Sequence, residues 1–230
     1  MGRQAKRMSV PQKVYKFVQK AHLEGFFDRG EIRIGTLAEF RIPDGKDAGR
    51  SDPDEGLIRW SPGSGMVDMP SDHPFLAAID RTGEPGEGVR IQFSEGSEIW
   101  VAGQAHVLSL SMAVSRTIVE EMHSQFGYDA CYRITDLRGF VAHLSSHRKL
   151  WGWRYVANPV RYQTVRAITE KHPLTLSSDG FLKDQRFDWQ REYRIAWSKK
   201  DERPTEGVIL QVPGIQQFAI PISLDAYLPQ

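Results

Sequence analysis

A carboxylate and two hydroxyls at strand-like spacing are the residues of this chain best placed to do chemistry. In FDWQREYRIAW, residues 187–197, Gln190, Glu192 and Arg194 occupy every second position, and Tyr193, Ile195 and Trp197 alternate with them. In a strand with that pattern the apolar set faces a core and the polar set faces water or a cleft. A carboxylate fixed in a cleft stabilises positive charge that develops beside it. On a solvated face it merely pairs with Arg194 or a cross-strand base, a contribution of about 0.2–1 kcal/mol. AHVLSLSM, residues 105–112, repeats the alternation: Val107, Ser109 and Ser111 share one face, and Leu108, Leu110 and Met112 share the other. Two hydroxyls close to the backbone leave room for a flat ligand and can hold a neighbouring side chain. The plainer reading makes Ser111 a cap for the helix that follows.

The elements that must position these residues read as α+β. KVYKFV is a short strand, AHLEGFF a helix with Leu23, Phe26 and Phe27 on one side and Gly30 to stop it, and EIRIGTL a strand with Ile32 and Ile34 inward. Residues 41–75 are dense in Gly, Pro, Asp and Ser and read as a long loop interrupted by LIRW at 57–60. FLAAID, GVRIQFS and EIWVAGQAHVLSLS continue as strands with hairpin-like spacing. RTIVEEMHSQFG is a helix: Thr117 and Glu120 fit a capping box, Ile118, Met122 and Phe126 form its apolar stripe, and Gly127 closes it. After DACYRI, a strand, DLRGFVAHLSSHRKL reads as a second helix and RYVANPVRYQTV as a strand. HPLTLSSDGFLKD connects to the QREYRIAW strand, and GVILQVP and FAIPISL close the chain as edge-like strands, where Pro213 and Pro221 are tolerated. The whole is expected to be one domain over 1–230, mostly antiparallel, with a few flanking helices.

A Ser-x-Ser strand followed by a Gln-x-Glu strand, with VYKF opening the chain, resembles the ADP-ribosyltransferase superfamily. That resemblance implies a split β-fold holding NAD in a cleft. It implies a transferase that passes ADP-ribose to a macromolecule, or a degenerate relative that binds the nucleotide without turnover. Glu192 would then be the catalytic carboxylate that stabilises the oxocarbenium-like ribose as nicotinamide leaves, with Gln190 the upstream member of the motif. Ser109 and Ser111 would shape the nicotinamide pocket, although Leu110 stands where the family carries Thr. Lys16 is the nearest match to the cofactor-holding residue of the first strand, and Arg33 is an equal candidate for a phosphate. The segment order over 13–197 is also similar to a family of uncharacterised bacterial and phage proteins.

Composition narrows the remaining choices. The 230 residues carry 30 basic and 29 acidic side chains, so the chain as a whole has no attraction for polyanions, although a local basic patch does. The single cysteine, Cys131, excludes an internal disulfide and reads as a buried small hydrophobe. No apolar run is long enough to span a bilayer, and MGRQAKRMSVPQK lacks the pattern of a secretory signal or a myristoylation site. The expectation is a cytoplasmic protein of bacterial or phage origin without a membrane partner. GRSDPDEG groups Arg50, Asp52, Asp54 and Glu55 without the spacing of a calcium loop. His143 and His147, at i and i+4, read as a helix surface, and no metal is expected. Residues 147–166 interleave bases with aromatics: Arg148, Trp151, Trp153, Arg154 and Arg161 form a candidate nucleic-acid or substrate surface. This gives the alternative function, a non-catalytic nucleic-acid-binding or phage–host interaction protein; snorkelling arginines on a packed strand are the plainer explanation.

Overall fold

The computed structural model describes residues 11, 13–41, 57–60, 64–69, 89–95, 99–102, 104–163, 167–168, 180–199 and 202–227. The strands are β1 (Val14–Val18), β2 (Glu31–Thr36), β3 (Leu57–Trp60), β4 (Gly65–Met69), β5 (Val89–Phe93), β6 (Ile99–Ala102), β7 (His106–Ser111), β8 (Ala130–Ile134), β9 (Arg154–Pro159), β10 (Arg161–Gln163), β11 (Ala167–Ile168), β12 (Leu182–Asp184), β13 (Glu192–Ser198), β14 (Val208–Gln211) and β15 (Ala219–Ile222). The helices are α1 (Lys20–Arg29), α2 (Leu37–Arg41), α3 (Arg116–Phe126) and α4 (Leu137–Ser145). Eight strands form one sheet in the order β14-β2-β7-β1-β8-β15, with β13 on the other edge of β7 and β9 beyond it. Every pairing in this sheet is antiparallel. The short pairs β10–β12 and β3–β11 are parallel. The class is α+β, with a mostly antiparallel open sheet and few helices, and β14 and β15 end the path as expected of edge strands.

One strand organises the sheet. β13 pairs along the whole length of β7, from Trp197 opposite His106 to Glu192 opposite Ser111. The other edge of β7 is divided. β1 takes its end at Ser111, through Tyr15, and β2 takes its start, with Gly35 and Thr36 opposite Val107 and His106. Between the two contacts β1 and β2 part, and the β7 edge at Leu108–Leu110 faces the gap.

Helices cover the two faces unequally. On one face, Phe26 of α1 and Phe140, Val141 and Leu144 of α4 pack with Leu108, Leu110, Tyr132, Tyr193, Ile195 and Trp197. Phe26 stacks on Tyr132 with ring centres 4.3 Å apart and planes 10° from parallel. The Trp197 indole N–H donates to Ser145 Oγ at 2.9 Å, which satisfies its one polar atom. On the opposite face two separate apolar patches form. α3 lays Ile118, Val119 and Met122 over Phe17 and Cys131, and Leu37 of α2 packs with Val107, Phe181 and Ala196. A polar strip lies between the patches. Cys131 is fully buried, with Phe17 of β1 and Ile222 of β15 as its neighbours in register.

The element ends follow local chemistry. α1 stops at Gly30, whose φ of 65° is left-handed and whose N–H closes on Phe26 O at 2.9 Å. α2 begins with a capping box: Glu39 N–H donates to Thr36 Oγ1 and Thr36 N–H donates to Glu39 Oε2, each at 3.1 Å. The box expected at Thr117 and Glu120 is replaced by a simple cap, Ser115 Oγ accepting from Ile118 N–H, because α3 begins at Arg116. Asp136 caps α4 by accepting from Gly139 N–H at 3.0 Å.

Several expected boundaries move. The strand read over 187–197 begins only at Glu192: residues Gln185–Gln190 wind into a 3-10 turn that Asp184 caps, and Arg191 adopts φ 46° to leave it. The strand read over 98–111 is two strands, β6 and β7, and that over 154–165 breaks at Val160 into β9 and β10. The connecting segment 172–184 contains β12. Within 41–75, β3 is the expected LIRW strand and β4 is a further one, whereas GRSDPDEG lies outside the described residues, as does FLAAID.

A side chain at Gly30 would need a left-handed backbone and would put its Cβ into the Val212 carbonyl oxygen. Gly30→Ala is therefore expected to lower the unfolding free energy by about 1–3 kcal/mol, read from the shift of the urea midpoint at unchanged slope.

Candidate functional site

The polar strip collects the residues singled out by spacing. Register places Glu192 opposite Ser111 and Arg194 opposite Ser109, on the face between the two apolar patches. Met112 N–H donates to Arg191 O at 2.8 Å, which makes Ser111–Glu192 and Ser109–Arg194 the non-hydrogen-bonded pairs of the ladder. In such pairs the side chains approach closely. The backbone groups of Ser109 and Ser111 then point to the divided edge of β7. Lys16 Nζ, reaching from β1, donates to the Ser109 carbonyl at 3.0 Å, so the gap in the sheet does not leave that acceptor without a partner.

Glu192 is 5 % exposed and is held by a fork. Arg194 Nε donates to Oε1 at 2.7 Å and Arg194 Nη2 donates to Oε2 at 3.0 Å. Lys183 Nζ donates to Oε2 at 3.2 Å and to Gln190 Oε1 at 2.8 Å. Arg194 Nη1 donates to the Gly180 carbonyl at 2.7 Å, which ties the segment entering β12 down onto the strip. Burial alone raises the Glu192 carboxyl pKa, but the charges of Arg194 and Lys183, with hydrogen bonds from Arg194 and Ser109, outweigh it and hold the group well below the usual carboxylate range. The carboxylate is thus ionised at any working pH, and Glu192, Arg194 and Lys183 together leave one positive charge on the strip.

The backbone around Glu192 is also accounted for. Its carbonyl accepts from Val160 N–H at 2.9 Å, and its N–H, past the end of β9, donates to the Tyr162 hydroxyl at 2.8 Å. Ser111 Oγ donates to the carbonyl of Gln190 or of Ala113, each at 2.9 Å, and accepts from Ala113 N–H at 3.3 Å. Ser111 therefore clamps the 3-10 turn to β7, rather than capping α3.

The strip lines a cavity of about 550 Å³ that residues of both β1 and β2 also border. Lys16, Ser109, Ser111, Gln190, Glu192 and Arg33 all line it, so the structure brings together every residue the resemblance singled out. Arg33 lies at the rim, 53 % exposed, and spends one nitrogen on Glu39 Oε1 at 3.0 Å. Tyr15, Phe126 and Tyr128 add flat walls. The cavity volume is in the range of small-molecule and cofactor sites.

The second candidate surface lies elsewhere. Arg148, Trp151, Arg154 and Arg161 are exposed and none lines the cavity. Trp153 departs from them: it is half-buried against the core, its ring 5.0 Å from that of His106. His143 Nε2 donates to the Pro213 carbonyl at 2.8 Å, and no group of three or more metal-type ligands occurs among the described residues.

Spacing missed Lys183, and it put Tyr162 only in the basic and aromatic stretch 147–166, not beside Glu192. Lys183 sits in GFLKD, read as a connection. The available signal was a lone lysine directly after an apolar pair. Tyr162 carries no such signal, since its hydroxyl meets a backbone group made available by the break at Val160. No family model, curated protein or solved structure matches the chain.

Breaking the fork should be costly. Arg194→Met leaves a buried carboxylate with one cation and is expected to lower the unfolding free energy by about 3–5 kcal/mol. The sign of the pH effect follows from the lowered pKa: the fork contributes fully above the carboxyl's ordinary value of 4.5 and is lost as the pH falls beneath it. The wild-type urea midpoint should fall steeply between about pH 4.5 and pH 2, and a Glu192→Gln/Arg194→Met double variant should show a shallower decline over that window.

Proposed function

We propose that the cleft binds a dinucleotide of the NAD class and that the chain is a split-sheet relative of the ADP-ribosyltransferases, with transfer of ADP-ribose to a macromolecule as its reaction. The observation that carries this reading is the meeting of Glu192, Ser109 and Ser111 in the lining of one cavity, at the point where β1 and β2 part. The charge balance fits the ligand. Lys16, Lys183 and Arg194 outnumber the single carboxylate on the strip, which favours a pyrophosphate. Tyr15, Phe126 and Tyr128 offer planar surfaces to a base or a nicotinamide ring. In the reaction, nicotinamide leaves with the electron pair of its glycosidic bond, and the carbon it leaves becomes cationic. The Glu192 carboxylate stabilises that charge, and an acceptor nucleophile bonds to the carbon and releases a proton.

One observation favours a second reading, binding without turnover. Both Glu192 oxygens are engaged by Arg194, and Lys183 adds to one of them, so the carboxylate's charge is largely matched before any ligand arrives. The two readings share a binding step and differ in the release of nicotinamide.

NAD and ADP-ribose at saturation are expected to raise the melting temperature by about 5–10 °C, the response of a domain this size to ligand well above its Kd. Lys16→Met and Ser109→Ala should weaken that response at least severalfold. Release of nicotinamide from NAD by wild-type protein, lost in Glu192→Gln, supports transfer; a thermal response without release supports the second reading. Absence of any response to either nucleotide overturns both.

A further inference from the structure

The turn before β9 and the strand itself hold a surface that the cleft does not use. Between Asp136 and Glu170 the chain carries five arginines and one lysine and no carboxylate, in a protein whose formal net charge is +1. Arg148, Lys149, Arg154 and Arg161 are all exposed, and none of them forms an ion pair among the described residues. The stretch thus carries six of the chain's positive charges, and the remainder of the chain has a formal charge of −5.

Within this stretch the structure displays an aromatic ring: Trp151 is 81 % exposed. Trp151 is held out by the residues on either side. Leu150 is buried, and Trp153 packs against His106. The turn is closed by Leu150 N–H to His147 O at 2.8 Å and Trp153 N–H to Leu150 O at 3.0 Å, and Gly152 takes the left-handed φ of 82° that the reversal needs. Held between buried Leu150 and half-buried Trp153, Trp151 exposes a large apolar ring to water.

We propose that this surface, from Arg148 through Trp151 and Arg154 to Arg161, binds single-stranded nucleic acid. The arginines and Lys149 contact phosphates, and Trp151 stacks on an unpaired base. A duplex offers the phosphates but keeps its bases stacked on one another, so the exposed ring selects for the single strand. β9 spans about 20 Å at 3.3 Å per residue, so the surface can follow several nucleotides, within the roughly 4–16 that single-strand modules cover. The proposal is independent of the cleft and of NAD.

The test is fluorescence anisotropy of the full chain with a labelled oligo(dT) of about 16 nucleotides, without NAD, between roughly 50 mM and 200 mM salt. Binding should weaken with salt, with a log–log slope of about −3 for four contacts at about −0.7 each. Trp151→Ala should weaken binding about tenfold, and Arg154→Glu should weaken it and flatten the salt slope. Both positions are exposed, so melting temperatures close to that of wild type confirm folded variants. No binding at the lowest salt, a Trp151→Ala variant that binds like wild type, or tighter binding of a matched duplex each overturns the proposal. Equal affinity for a polyglutamate peptide also overturns it, in favour of an acidic protein partner.

Discussion

The forked ion pair between Arg194 and Glu192 is the interaction on which the cleft depends. Glu192 is buried on the sheet face there, and without a partner its carboxylate would take up a proton or push the strand outward. With Arg194 two positions along the same face, the charge is matched within one strand, and the guanidinium has a nitrogen left for the Gly180 carbonyl. That bond lays the segment from Gly180 across the strip and delivers Lys183. Lys183 in turn joins Gln190 to Glu192, which sets the orientation of the 3-10 turn and hence of Arg191. Remove the fork and each later contact loses the one before it.

The same face shows how a sheet can be well packed and still hold a polar interior. Its two apolar patches, under α3 and under α2 with Phe181, supply the apolar burial, while the strip between them buries paired polar groups. Arg191 takes the positive-φ conformation at the end of the strip, a local cost of about 1–2 kcal/mol for a residue with a Cβ. Buried charges, a strained residue and a divided strand edge within a few residues of one another break local rules together. Such coincidences are where sites are expected.

Much of the main sheet was legible in the sequence because one side of each strand is buried by continuous apolar packing. Tyr193, Ile195 and Trp197 announced β13, Ile32 and Ile34 announced β2, and the glycines at 30 and 127 marked the ends of α1 and α3. The pairing of β7 with β13 was not legible, since nothing in two alternating segments about 80 residues apart states their register. Gln190 was right in its neighbourhood and wrong in its element. A 3-10 turn capped by Asp184 and a left-handed Arg191 bring it beside Glu192 by a route that strand periodicity does not encode. Thr36 and Glu39 formed the capping box that Thr117 and Glu120 had suggested: the motif is short, and the adjacent strand end decides which copy is used.

Cys131, between Phe17 of β1 and Ile222 of β15, has a consequence for measuring how this sheet moves. Burial pushes its thiol up to about 12, against a smaller opposing pull from Lys16, so the folded state presents almost no thiolate at neutral pH. An alkylating reagent can reach the sulfur only while the seam between β1, β8 and β15 stands open. With one thiol in the whole chain, the reaction rate is an unlabelled clock for that opening, and it runs from inside the core.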